Sequence, residues 1–69
     1  MKRNIRVRAQ NDFDMLRIKF MLEKLCKQRN WQADLYVINF DIAVYMELDD
    51  RAATVFALSC DDLDYEFID

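Results

Sequence analysis

The sequence predicts one α+β domain, a four-stranded antiparallel sheet carrying two helices on a single face. Three observations carry this expectation. Sixty-nine residues leave room for only one core, so residues 1–69 are read as a single domain. Short stretches near both ends alternate polar and apolar residues, the period of a strand with one wet face, and two in the middle are rich in β-branched and aromatic residues. Between them, one long segment repeats its apolar residues at helical spacing and is bracketed by asparagines.

The elements follow in order. Asn4-Ile5-Arg6-Val7-Arg8-Ala9 alternates and reads as the first strand. Asn11 or Asp12 then caps a helix of about four to five turns that ends near Arg29-Asn30. Met15, Ile18, Met21, Leu22, Leu25 and Cys26 form its broad apolar face, which is assigned to the sheet. Leu35 to Asn39 and Ile42 to Leu48 are rich in Val, Ile, Tyr and Phe, and read as a hairpin. A two-residue loop at Phe40-Asp41 sets Val37 against Val44, Leu35 against Met46, Tyr36 against Tyr45 and Ile38 against Ala43. Asp50-Arg51-Ala52-Ala53 resembles a capped helix start running to about Cys60. Asp64 to Ile68 alternates again and closes the chain as a strand.

This β-α-β-β-α-β order is that of the ferredoxin-like split unit, with the first strand between the third and the last. If Thr54 to Ser59 were a strand, the alternative would be one helix on a five-stranded antiparallel sheet. In the preferred topology Arg6 and Arg8 share the open sheet face with Asp64 and Glu66 on one neighbour and Glu47 on the other. Such cross-strand ion pairs contribute about 0.2–1 kcal/mol each and mainly fix register.

Charge is sorted along the chain. Residues 1–30 carry nine bases against three acids, and residues 31–69 carry one base against ten acids, for a net charge of −3. The sheet pairing cancels part of this segregation. The acids Asp49, Asp50, Asp61, Asp62, Asp64, Glu66 and Asp69 are explained by capping, turns and solubility, and no metal site is expected. An EF-hand loop is impossible without glycine, and the chain has neither glycine nor proline, where average usage would give about eight together. Phosphate loops and nucleophile elbows are excluded on the same ground, and no cofactor is expected. There is no histidine, and Ser59 is the only serine. Cys26 and Cys60 lie 34 residues apart and are expected to be buried, reduced thiols, so catalysis is not expected. No apolar run approaches the roughly 18 residues that span a bilayer. The opening Met1-Lys2-Arg3-Asn4-Ile5-Arg6 lacks the apolar stretch of a secretory leader, so a cytoplasmic location and no membrane partner are expected.

Two surfaces remain as candidate binding sites. Phe13, Leu16 and Phe20 form a second apolar stripe on the long helix, flanked by Arg17, Lys24 and Lys27. Either the second helix covers this stripe or it is a partner or self-association surface with a basic rim. The open sheet face offers Tyr36, Ile38 and Tyr45 beside Arg6 and Arg8. Aromatics interleaved with arginine are how RNA-recognition modules stack bases, but those modules use glycines that this chain lacks. The expected function is a small non-catalytic interaction module that binds another protein or pairs with itself as a homo-oligomer. An adaptor, a regulatory subunit or a stoichiometric inhibitor of the sort mobile elements carry would fit; the last is an analogy of size alone. Phe13, Leu16, Phe20, Arg17, Lys24, Tyr36 and Tyr45 are the expected contact residues. One alternative is a nucleic-acid binder using Arg17, Lys24, Lys27 and Arg29 with Arg6 and Arg8. The other is an acidic nucleic-acid mimic that blocks a basic groove, to which the like charges Asp34 and Glu47, opposed in the hairpin, lend some support.

Overall fold

In the computed structural model, which describes residues 1–68, the elements run β1 (Lys2–Arg8), α1 (Asp12–Arg29), β2 (Asp34–Ile38), β3 (Ala43–Asp49), α2 (Asp50–Ser59) and β4 (Tyr65–Phe67). Asp69, counted above among the C-terminal acids, lies outside the described residues. The strands form one antiparallel sheet in the order β2-β3-β1-β4, so β1 is central as the ferredoxin-like topology requires. Residues 50–59 are helical, which removes the five-stranded alternative.

Local signals explain the helix ends. The Asn11 side chain accepts from the Asp14 backbone N–H at 2.8 Å, and the Asp14 carboxylate accepts from the Gln10 N–H at 3.1 Å. Two otherwise orphaned donors are thereby satisfied at the start of α1. Asn30 ends the helix in the left-handed region (φ 58°, ψ 36°), and the Trp31 N–H reaches back to the Cys26 carbonyl at 2.9 Å. Asparagine tolerates this conformation, so the stop forms without glycine. Asp49 caps α2 by accepting from the Ala52 N–H at 2.8 Å.

The hairpin register is the expected one, from Asp34 opposite Glu47 to Ile38 opposite Ala43. Its turn differs: four residues, 39–42, connect the strands instead of two. The Ile38 carbonyl accepts from both Asp41 and Ile42, and Ile42 takes a positive φ of 52°. That conformation is costly for a β-branched residue. It is held because the Ile42 side chain packs against the core and its carbonyl accepts from the Ala9 N–H at 2.9 Å.

The core lies between the sheet and the helices. Ile5, Val7, Val44, Met46 and Leu48 project from the sheet against Met15, Ile18, Leu22 and Cys26 of α1 and Ala52, Ala53 and Phe56 of α2. Phe56 is fully buried and meets Tyr65 edge-on, with ring centroids 5.2 Å apart. Two core expectations are corrected. Met21 stays exposed at the margin of the apolar face, and Cys60 is only half-buried because it follows the last turn of α2.

Candidate functional site

The outward side of α1 carries three exposed large apolar residues together. Phe13 is 80% exposed, Leu16 46% and Phe20 65%. Their spacing of three and four residues puts them on one side of the helix, opposite the buried Met15, Ile18, Leu22 and Cys26. The second helix does not cover them. Its buried residues Ala52, Ala53 and Phe56 pack against the sheet. The reading in which the second helix covers the stripe is thereby overturned.

Lys24 and Lys27 continue the same side of α1 one and two turns beyond Phe20, and both are exposed. Neither joins an ion pair among the described residues. Arg17, at the other flank, is held by Asp14 at 2.6 Å, so its charge is already answered. The guanidinium, followed by the Gln10 N–H, holds the Asp14 carboxyl below the usual carboxylate range. Lys19 pairs with Glu23 at 3.3 Å and stands 5.8 Å from the Phe20 ring centroid. Beside the stripe, a groove of about 340 Å³ runs between α1 and the segment after α2, lined by Met21, Lys24, Leu25, Gln28, Cys60, Asp62 and Leu63.

The remaining candidate residues lie on the opposite side of the molecule, on the open sheet face. Tyr36 and Tyr45 stack with ring centroids 5.4 Å apart and planes 12° from parallel, and Tyr36 is 53% exposed. Tyr45 is restrained on that face, since its hydroxyl donates to Asp41 Oδ2 at 2.6 Å. Asp41 also takes two bonds from Arg6, 2.7 Å from Nε and 2.9 Å from Nη2, and Arg6 reaches Glu66 at 3.1 Å. Glu66 is a partner the sequence predicts for Arg6, whereas Asp41 is placed by the sequence only in the turn. The four-residue turn is what carries it back over the sheet. Glu47 pairs instead with Lys2 at 3.6 Å, because the register sets Lys2 and Glu47 near each other at the end of β1 distant from Arg8.

This network makes a pH prediction. Arg6, and next the Tyr45 hydroxyl, hold the Asp41 carboxyl far below the usual range, and the hydrogen bond to Asp41 pushes the Tyr45 phenol up. A depressed folded-state value means that the stabilisation is fully present above the unfolded carboxyl's pKa of about 4. It is lost as pH falls below that value toward the folded one. Melting followed by circular dichroism at pH 7 and pH 3 is expected to show a lower Tm at pH 3. Asp41→Asn is expected to lower the Tm at pH 7 and to reduce the difference between the two pH values.

Burial pushes both thiols above their ordinary pKa. No group of three or more metal-ligating side chains occurs among the described residues. No helix among them is long and apolar enough to cross a membrane. No family model matches the chain, and neither a curated protein nor a solved structure shows significant similarity to it.

Proposed function

We propose that this chain is a non-catalytic protein-interaction module that docks its partner on the outward side of α1. One observation carries the reading: Phe13, Leu16 and Phe20 are exposed together on one side of the helix. Single exposed apolar residues are ordinary on protein surfaces, but a contiguous stripe with a polar border resembles an interface core. An adaptor, a regulatory subunit or a stoichiometric inhibitor would each use such a face. Two free thiols fit a cytoplasmic setting.

Charge placement favours this reading over its competitors. The bases that would build a nucleic-acid surface are divided, with Lys24 and Lys27 on the helix layer and Arg6 on the opposite sheet face, already held by Asp41 and Glu66. An acidic mimic needs carboxylates that are free to act as phosphates. Here Asp49 caps α2, Asp14 and Asp41 hold arginines, Glu47 pairs with Lys2 and Glu66 with Arg6, and the exposed Asp34 and Asp61 stand on separate elements, at β2 and after α2.

A tagged pull-down from lysate, with and without nuclease, tests the proposal. The expected result is a specific protein that survives nuclease, is retained by Tyr36→Ser and is lost with Leu16→Asp. Co-purifying proteins that all vanish on digestion would overturn it, as would a partner retained by Leu16→Asp.

A further inference from the structure

Deepening the docking reading, on which it rests, we infer that the occupant of the α1 surface is an acidic amphipathic segment of another protein. The apolar half of the site is Phe13, Leu16 and Phe20, and the same side of the helix then turns basic at Lys24 and Lys27. Four other bases are answered within the chain: Lys2 by Glu47, Arg6 by Asp41 and Glu66, Arg17 by Asp14 and Lys19 by Glu23. Lys24 and Lys27 have no such counter-charge among the described residues, and they border the stripe. A ligand that covers Phe20 brings its own groups beside these two ammonium ions. Carboxylates there gain attraction in a partly desolvated rim, whereas cations would be repelled.

The shape of the site supports the same occupant. The stripe is linear and follows one helix side, which suits apolar residues spaced at i, i+3, i+4 and i+7 on a partner helix. The groove between α1 and the segment after α2 opens beside Met21 and Lys24, with Leu25 and Leu63 in its walls. Asp62 also lines it, so what it would take from the same ligand is an apolar anchor and not a carboxylate. A second copy of this chain fits less well. Helix α1 carries five bases and three acids, so pairing it with itself sets two net-positive surfaces together. Nucleic acid fits less well again, because the basic side chains it would need are divided, Lys24 and Lys27 lying on the helix layer and Arg6 on the opposite sheet face, already held by Asp41 and Glu66.

The test is selection of a displayed library of random 16-residue peptides against the whole domain, followed by affinity measurements on the enriched peptides. The result expected is enrichment of amphipathic sequences with net negative charge. Their affinity should fall at least about tenfold with the charge reversal Lys24→Glu/Lys27→Glu, should fall with added salt and should be lost with Leu16→Asp. Circular dichroism of each variant confirms that the fold is kept. Enriched peptides that are neutral or basic, or that bind the charge-reversed domain equally well, would overturn the inference. If Leu16→Asp still abolished their binding, the docking surface itself would stand. Peptides indifferent to Leu16→Asp, or no enrichment at all, would overturn both. A labelled single-stranded oligonucleotide that binds the domain more tightly than the peptides, and is displaced by none of them, would assign the basic rim to nucleic acid instead. Association of the unliganded domain with itself, lost in Leu16→Asp, would replace the acidic segment with a second copy.

Discussion

Replacing Phe56 with alanine is expected to cost about 3–5 kcal/mol, which is comparable to the whole stability a domain of this size draws from one core. The side chain is fully buried, and it is the largest buried group that α2 contributes. Around it, Ala52 and Ala53 are too small to fill the space it would leave. Tyr65 would lose its edge-on partner, and the short β4, three residues long, would lose a contact that fastens it to the rest. Urea titration followed by circular dichroism should find the Phe56→Ala chain largely unfolded at 25 °C. Phe56→Leu keeps most of the volume and should cost less than about 2 kcal/mol. A Phe56→Ala midpoint close to that of the wild type would contradict this view of the core.

Leu16→Asp should do the opposite, leaving the fold intact and removing association. Leu16 points away from the sheet, so the substitution should change stability by about 0.5 kcal/mol or less. At the centre of a docked interface the same carboxylate would be buried among Phe13 and Phe20 with no partner. The cost of an unpaired buried charge should weaken binding at least about 100-fold, against which the loss of one leucine contact is minor. Titration calorimetry with the captured partner reads the affinity, and thermal melting reads the fold. An unchanged affinity would remove Leu16 from the interface. A collapsed melting transition would mean that the stripe belongs to the core.

Much of the fold was legible because local chemistry announces it. Asn11 and Asn30 mark both ends of α1, one as a side-chain acceptor and one as a residue that tolerates positive φ. The hairpin register followed from centring the turn on Phe40-Asp41, and it survived the error in turn length because 39–42 and 40–41 share a centre. What stayed hidden is what depends on contacts between elements distant in sequence. Nothing near Asp41 signals that Arg6, 35 residues earlier, will grip it. That pairing arises only when β1 enters beside β3 and the turn folds back over the open face. The exposure of Phe13, Leu16 and Phe20 was undecided for a similar reason. Periodicity gives the two sides of α1 but not the position of α2, and the small residues Ala52 and Ala53 let α2 lie close on the sheet instead of over the stripe.

The candidate site was therefore half legible. All seven predicted contact residues are at least partly accessible, but the fold divides them between two sides. Phe13, Leu16, Arg17, Phe20 and Lys24 share the helix layer, whereas Tyr36 and Tyr45 stack on each other across the molecule. Arg17 and Tyr45 are further restrained by bonds to Asp14 and Asp41. The unpaired state of Lys24 and Lys27 was not visible in the sequence, where Glu23 stands four residues from Lys27 just as it does from Lys19. Only the Lys19 pairing forms.

Site-specific photo-crosslinking in cells tests the docking surface most directly. A photoreactive residue is placed in turn at position 16 on α1, position 36 on the open sheet and position 54 on the exposed side of α2. A discrete protein adduct from position 16, with none from positions 36 or 54, is the predicted result. An adduct formed at position 36 and absent at position 16 would contradict the account and move the interaction to the sheet.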